Sequence, residues 1–140
     1  MDSTYVVGID VGGQTTKLGV VDARGTVLAQ TVIRTDTYTD IAPYISELAV
    51  ALNKVIADAG VEGKVKGIGV GAPNGNYYTG TIENAVNLSW GGTQTIEFSK
   101  LLSKAMNGLP VALTNDANAA AVGEMTYGAA RGMKNFIMIT

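Results

Sequence analysis

The stretch Gly8-Ile-Asp-Val-Gly-Gly-Gln-Thr-Thr-Lys17 constrains the fold of this chain more than any other segment. An apolar strand, predicted over residues 5–11, carries one acid, Asp10, and runs into two glycines and then a second apolar run. The pattern predicts a tight turn between two antiparallel strands, since glycine lets the backbone turn sharply and lets a ligand approach the amides. Successive amides in such a turn can bind an anion, and Lys17 adds a point charge for phosphate.

Asp10 narrows the kind of ligand that such a turn can hold. A carboxylate beside a phosphate repels it unless a divalent cation lies between them, so Asp10 indicates Mg²⁺, which prefers carboxylate, water and phosphate oxygens. The competing interpretation is a glycine hairpin with a buried, hydrogen-bonded aspartate and no ligand, because glycine-rich motifs also occur without one.

Composition excludes several classes of protein. The chain has 140 residues, enough for one domain with a sizeable core, and a net charge of −2, which argues against nucleic acid as the main partner. It has no cysteine, hence no disulfide and no thiolate zinc site, and no apolar run long enough for a membrane span or a leader. These features predict a cytoplasmic protein. Histidine is also absent, so a general base within the chain must be a carboxylate or, less plausibly, Lys or Tyr.

The hydrophobic pattern predicts an α/β fold. Three strands over 5–11, 16–21 and 26–33 form a meander, with Asp22-Ala-Arg-Gly25 as the second turn. Apolar residues at helical spacing follow from Ile41 to Ile56, with Thr39 or Asp40 as the cap, Pro43 in the first turn and Gly60 at the end. The later elements are predicted as a strand over 66–70, a helix from Phe98 to Met106, a strand over 111–113, an alanine-rich helix over 116–127 and a strand over 135–139.

Ligands of open α/β sheets bind at the carboxyl ends of strands, and three candidate sites fall there. They are the glycine turn, the segment 71–75 and the pair Asn115-Asp116. Asp116 opens a predicted helix, so it is either an N-cap or a catalytic carboxylate, while Asn115 can hold a ligand hydroxyl. The polar, glycine-rich stretch 74–95 is predicted to be a long binding loop. Within it, Trp90 is favoured as a loop anchor over a residue that packs against a sugar.

Four motifs together resemble a known family. In order they are Asp10-Val-Gly-Gly-Gln-Thr-Thr-Lys17, Gly69-Val-Gly-Ala-Pro-Asn-Gly75, Asn84-Ala-Val-Asn-Leu-Ser-Trp90 and Asn115-Asp-Ala-Asn-Ala-Ala-Ala-Val-Gly-Glu124. Their order and spacing resemble the N-terminal half of bacterial sugar kinases of the repressor–ORF–kinase (ROK) family, especially glucokinases, within the actin/hexokinase/Hsp70 ATPase superfamily. The resemblance implies a ribonuclease H-like mixed sheet, with a three-strand antiparallel meander plus parallel strands, flanked by helices.

The same resemblance implies a role for each matching residue. Asp116 would be the catalytic base that takes the proton from a sugar hydroxyl, and the sugar would be a hexose, with glucose favoured. ATP and Mg²⁺ would be the cofactors, with Mg²⁺ reached from Asp10 through water. Gln14 stands where the family usually has threonine, and Thr15 is adjacent. The implied ATP-phosphate residues are Asp10, Gly12, Gly13, Gln14, Thr15 and Lys17, and the implied sugar residues are Gly71, Asn74, Asn87 and Asn115.

The family also implies what lies beyond this chain. Residues 1–134 would be the N-terminal sugar- and phosphate-binding domain, and 135–140 the first strand of a truncated C-terminal ATPase-type domain. That second domain would carry the adenosine pocket and the zinc site, so no zinc is expected in this fragment and the fragment alone is expected to be inactive. The full-length protein, called the parent below, is expected to be a homodimer.

Three other interpretations compete with the kinase. A transcriptional regulator of the same family would need a helix-turn-helix ahead of the glycine turn, where only seven residues stand before Gly8. A non-catalytic sugar-binding module would use the same loops, although Asp116 and Lys17 favour an enzyme. A dinucleotide-binding fold needs a glycine turn that opens into a helix, whereas this one opens into a strand.

Overall fold

The computed structural model of the chain describes residues 5–22, 24–76, 79–86, 88–92 and 94–114. The elements predicted within these ranges lie in the predicted order, most with bounds within one or two residues of those observed, and three short strands occur in addition. The observed elements are β1 (Tyr5–Val11), β2 (Thr15–Asp22), β3 (Val27–Arg34), α1 (Ile41–Ala59), β4 (Val65–Gly71), β5 (Gly75–Asn76), β6 (Thr81–Glu83), β7 (Thr95–Ile96), α2 (Phe98–Ala105) and β8 (Val111–Thr114).

Five of the strands form one mixed sheet in the order β3-β2-β1-β4-β8. The first three strands pair antiparallel as a meander. Strand β4 pairs with β1 in parallel, and β8 pairs with β4 in parallel. This arrangement confirms the predicted ribonuclease H-like α/β fold. The predicted helix over 116–127, the strand over 135–139 and the boundary between the two proposed domains lie outside the described residues.

Alternation along the strands divides this sheet into a helix-covered face and an opposite face. Side chains of β1 point alternately to the two sides, so Val7, Ile9 and Val11 lie in the core while Asp10 lies on the other face. The core face is covered by α1 and α2, which contact each other. Helix α1 forms there because buried residues recur every three or four positions, which gives it one continuous apolar stripe; they are Tyr44, Ile45, Leu48, Ala51, Leu52, Val55 and Ile56.

The C-terminal end of α1 is as predicted, whereas its N-terminal end differs from the prediction. Gly60 ends the helix in the left-handed conformation, with φ 71°, as predicted. Asp40 occupies the N-cap position with an extended backbone, but its side chain makes no capping hydrogen bond. The expected polar cap by Thr39 or Asp40 is therefore wrong, since no side-chain hydroxyl or carboxylate bonds a first-turn amide among the described hydrogen bonds.

The stretch 74–95 is not the irregular loop that its composition indicated. It contains β5, β6 and β7, which pair antiparallel as a second, three-stranded sheet, with Ile82 opposite both Gly75 and Ile96. Strands of two or three residues are too short to show a period of two, and β7 is separated from β6 by eleven residues of loop (84–94). Only the pairing reveals them. No helix among the described residues is long and apolar enough to cross a membrane.

The turn between β2 and β3 gives a first testable prediction. Asp22 Oδ1 accepts hydrogen bonds from the amides of Arg24 (2.9 Å) and Thr26 (3.0 Å). These backbone bonds, that of Thr26 foremost, hold the pKa of the Asp22 carboxyl below its ordinary value of 3.8. Because the folded-state pKa is lowered, the ionised carboxylate stabilises the fold above pH 3.8, and this stabilisation is lost as the pH falls through the folded-state value.

We therefore expect Asp22→Ala to lower the melting temperature at pH 7, and the deficit to shrink when melting is repeated in acid. Asp58→Ala is the matched control, because Asp58 is an exposed carboxylate whose only described contact is the Lys54 ammonium at 3.3 Å. Equal melting temperatures for the two variants at pH 7 would contradict this account of the turn.

Candidate functional site

The carboxyl ends of the parallel strands meet at one edge of the large sheet. Asp10 of β1 is in register with Gly71 of β4, and Gly71 is in register with Thr114 of β8. Adjacent strands lie about 4.8 Å apart, so the backbones of Asp10 and Thr114 are separated by about 10 Å. Two of the three predicted strand-end sites, the glycine turn after β1 and the segment 71–75 at the end of β4, are thus neighbours. Asn115 and Asp116 lie outside the described residues but follow Thr114 directly in the chain.

Gly71 has a steric consequence for this edge. Gly71 lies between β1 and β8 and shares the face of its ladder partner Asp10. Since glycine has no side chain, β4 places nothing between the carboxylate of Asp10 and the end of β8. Gly71 is itself buried, so what favours a ligand at this position is the absence of a β4 side chain.

Asp10 and Lys17 lie opposite each other on this same face. They are cross-strand partners of the β1–β2 ladder, with Asp10 half-buried and Lys17 exposed. Opposed residues of an antiparallel pair have Cβ atoms about 5 Å apart. A carboxylate and an ammonium at this spacing suit a magnesium-bound phosphate, because the acid can face the cation while the lysine faces phosphate oxygens.

The glycine hairpin (residues 11–16) joins these two strands. Gly12 donates its amide to the Thr15 carbonyl at 2.9 Å, and a Cβ built on Gly12 would lie 3.0 Å from that same oxygen. Position 12 favours glycine because of this close approach and not because of its backbone conformation, since neither Gly12 nor Gly13 has a positive φ. Gly13 and Gln14 are exposed, and their amides donate no hydrogen bond to the described residues. These two amides, together with the half-buried Thr15, are what the hairpin offers an anion.

A buried cluster of three hydroxyl groups lies beneath the hairpin. Thr16 Oγ1 is 2.6 Å from Thr35 Oγ1 and 2.7 Å from the Tyr44 hydroxyl, and all three side chains are fully buried. Burial raises the pKa of the Tyr44 phenol, against the smaller lowering effect of its bond with Thr16. The phenol is therefore a neutral hydrogen-bonding partner at any physiological pH.

Asn74 holds the start of the second sheet to the 84–94 loop. Its backbone is left-handed (φ 61°), and its Nδ2 donates to the carbonyls of Glu83 and Asn84, both at 3.0 Å. Both amide hydrogens are thereby used, which leaves the Oδ1 atom as the part of Asn74 that could accept a bond from a sugar hydroxyl. The sequence assigned Asn74 to the pocket lining; its described contacts hold the loop in place.

The 84–94 loop is anchored on both sides of Asn87. Ala85, Leu88 and Trp90 are buried in the core, and a Cβ on Gly91 would lie only 2.5 Å from the Ala85 carbonyl oxygen. Asn87 itself lies outside the described residues. The described part of the loop is held by these buried side chains, while Val86 is exposed.

Trp90 is an anchor, as predicted. Its side chain is 1% exposed and stacks between two rings, with centroid distances of 4.7 Å to Tyr44 and 6.0 Å to Phe98. Its Nε1 has no hydrogen-bond acceptor in the described part of the chain. The indole therefore contributes buried area and stacking, and it does not pack against a sugar.

Three polar residues of this region were given no role from the sequence. Thr16, Thr35 and Ser89 join the hairpin, the segment after β3 and the 84–94 loop, with the Ser89 hydroxyl 2.5 Å from the Tyr38 carbonyl. Thr16 and Thr35 are 19 positions apart, and Ser89 is 54 positions from Thr35. Threonine and serine are common in strands and loops, so no local signal distinguishes them.

No group of three or more acidic side chains that could hold a metal ion occurs within the described ranges. The donors at the sheet edge nevertheless fit Mg²⁺, since this ion is usually held by one or two carboxylates together with water and substrate phosphates. Asp10 is the described carboxylate in the right place for that role.

Comparison with known proteins adds a family and solved relatives. A family model described as the ROK family matches residues 6–140. A glucokinase of Halalkalibacterium halodurans is 35% identical over the whole chain, which spans 42% of that relative's length. The structure of a ROK hexokinase from Thermus thermophilus superposes with a TM-score of 0.65 at 34% identity, over 91% of this chain and 40% of that one.

A second solved relative contains ligands. The ROK family glucokinase from Streptomyces griseus, in complex with glucose and AMPPNP, has a TM-score of 0.62 and 30% identity to this chain. The match covers 91% of this chain and 38% of that one. This chain thus spans about two fifths of the length of the relatives it matches.

Proposed function

This chain belongs to the ROK family, and we propose that it is the N-terminal half of an ATP-dependent hexose kinase, with glucose the favoured sugar. The observation that carries the proposal is the shared edge of the sheet. Asp10, Gly71 and Thr114 stand side by side there, and Asn115-Asp116 follows at once. A phosphate-binding turn and a sugar-binding pair at one edge are what phosphoryl transfer to an alcohol requires.

In this proposal the β1–β2 hairpin holds the phosphates. Lys17 and the exposed amides of Gly13 and Gln14 bind phosphate oxygens, with Gly12 and Thr15 shaping the turn. Asp10 would hold Mg²⁺ through water, and the ion would supply positive charge to the phosphates during transfer.

The sugar lies on the other side of the edge. Asn115 and Asn87 bind hydroxyl groups, Gly71 leaves space for the ring, and the Oδ1 of Asn74 accepts a hydrogen bond from a further hydroxyl. Asp116 accepts the proton of the attacking sugar hydroxyl. A bond forms between that oxygen and the γ-phosphorus while the bond from the γ-phosphorus to the bridging oxygen of ATP breaks. Because an alcohol is weakly acidic, the proton moves late, as the oxygen bonds to phosphorus.

We also propose the domain division 1–134 and 135–140, with the rest of an ATPase-type domain following in a cytoplasmic, homodimeric parent. The 140-residue chain alone is then expected to lack useful turnover, since the adenosine pocket would be elsewhere.

A coupled assay of ADP release tests the proposal. The full-length protein is mixed with ATP-Mg²⁺ and each of glucose, mannose, fructose and an N-acetylated hexose, and the 140-residue chain is assayed in parallel. We expect sugar-dependent ADP release from the full-length protein, abolished by EDTA, and none from the short chain. Sugar binding without any ADP release would instead establish a non-catalytic module, and equal turnover by the short chain would overturn the two-domain division.

A further inference from the structure

Thr35 contacts both sides of the proposed site. Its amide donates to the Gln14 carbonyl of the hairpin at 2.9 Å, and its hydroxyl is 2.6 Å from that of Thr16. On the other side, its carbonyl lies 3.3 Å from the hydroxyl of Ser89 in the 84–94 loop. The residue is fully buried and follows directly after β3. One residue thus bonds to the turn proposed for phosphate and to the loop proposed for sugar.

A second connection runs parallel to the first. The Tyr44 hydroxyl is 2.7 Å from Thr16, while its ring stacks on Trp90 at 4.7 Å and 28°. Thr16 therefore belongs to both connections, one through Thr35 to Ser89 and one through Tyr44 to Trp90. Both run from the second strand of the hairpin to the same loop.

These connections depend on hydrogen bonds, whose strength depends on direction as well as distance. Valine has the shape of threonine and would fill positions 16 and 35 without requiring any partner. Three buried hydroxyls, in contrast, must satisfy one another, since a buried hydroxyl without a bond is costly. A hydrogen-bonded cluster in a low-dielectric interior permits few arrangements, whereas apolar contacts tolerate sliding. Hydroxyls at these positions fix an orientation, not merely a volume.

We infer that Thr35 is a positioning residue that sets the hairpin relative to the 84–94 loop, with Thr16 and Tyr44 as its partners. The inference rests on the proposed function, because it assigns phosphate to the hairpin and sugar to the loop. The loop keeps its own anchors in Ala85, Leu88 and Trp90 when the Thr35 hydroxyl is removed. Loss of that hydroxyl removes the side-chain bond that orients Thr16, whereas the backbone bonds of Thr35 to Gln14 and Ser89 remain. The hairpin is therefore loosened and the sugar side stays in place.

Steady-state kinetics of Thr35→Val in the full-length kinase test this inference. Misplacement of reacting groups by about 1 Å can cost up to about 100-fold in rate, so we expect kcat to fall about tenfold. The dissociation constant for glucose, measured by calorimetry, should remain close to that of the wild type. Thr35→Ser keeps the hydroxyl and should restore kcat. All rates are measured well below the melting temperature of each variant, so that unfolding does not contribute.

Thr81→Val is the matched control. Thr81 is also a buried threonine, with hydroxyl bonds to Thr79 (2.6 Å) and Glu83 (2.8 Å), but these residues lie in β6 and the turn before it and do not reach the hairpin. Its kcat should equal that of the wild type even if its melting temperature falls. Should Thr35→Val fail to fold, Tyr44→Phe removes the other bond to Thr16, keeps the ring on Trp90, and should show the same selective fall in kcat.

A double-mutant cycle distinguishes a connection from two separate effects. If Thr35 links the hairpin to the loop, Ser89→Ala and Thr35→Val will have non-additive effects on kcat. Additive effects, or an unchanged kcat in both Thr35→Val and Tyr44→Phe, would overturn the inference while leaving the kinase intact. Absence of sugar-dependent ADP release from the wild type would instead refute the proposed function itself.

Discussion

Asp116→Asn in the full-length protein is expected to abolish most of the proposed sugar-kinase turnover while glucose binding survives. A positioned general base contributes about 10²–10⁴-fold to a proton-transfer step, so kcat should fall by a factor in that range. Asparagine keeps the size of the side chain and its place after Thr114, and it cannot accept the proton of the attacking hydroxyl. Asn115, Asn87 and the loop around Asn87, which are proposed to bind the sugar, are unchanged, so the affinity for glucose should change little.

The measurement is kcat from ADP release, with glucose affinity from calorimetry on the same preparations. Asp58→Asn is a suitable control, because it removes the same charge from an exposed position on α1. A variant that lost sugar binding and turnover together would indicate an N-cap that supports the fold, the alternative left open by the sequence. Nearly normal turnover would exclude Asp116 as the base.

Trp90→Ala should produce the largest loss of stability among the described residues. Truncation of a buried tryptophan to alanine costs about 3–5 kcal/mol, and this indole is packed between Tyr44 and Phe98. Trp90→Phe should cost much less, since a ring is retained and the lost Nε1 had no described acceptor. We also expect Trp90→Ala to weaken sugar binding, because the 84–94 loop loses its main anchor.

Chemical denaturation followed by circular dichroism measures the loss, since Trp90 is the single tryptophan of the chain and its fluorescence disappears with it. Val86→Ala serves as the control in the same loop, because Val86 is 70% exposed and should contribute little. Equal unfolding free energies for Trp90→Ala and Val86→Ala would show that the stacked rings do not hold the loop.

The sequence predicted the parts of the fold in which a residue's own neighbours carry the information. A short apolar run indicated β1, helical spacing indicated α1, and the turn at residues 22–25 was evident from its aspartate and glycine. The small second sheet was missed because β5 and β7 are two residues each, and their stability comes from pairing with β6 across the chain. The absent cap at Asp40 has a similar cause, since propensity does not determine what a side chain contacts.

The site was predictable to the same extent. The hairpin and the ends of the parallel strands were assigned to one edge from topology alone, and the register of Asp10 with Gly71 agrees. The hydroxyl cluster of Thr16, Thr35 and Tyr44 could not be anticipated, because its members are far apart in sequence and of common types. The use of the Asn74 amide within the loop depends on a left-handed backbone that only the fold reveals.

The most direct test of the central claim is a crystal structure of the full-length protein with glucose, Mg²⁺ and a non-hydrolysable ATP analogue. We predict that a carboxylate oxygen of Asp116 lies within hydrogen-bonding reach of one glucose hydroxyl, about 2.6–3.2 Å. We further predict that this hydroxyl faces the γ-phosphate and that Asp10 approaches Mg²⁺ through water. A structure in which Asp116 points away from the sugar, or in which packed side chains separate it from the hairpin, would contradict the account.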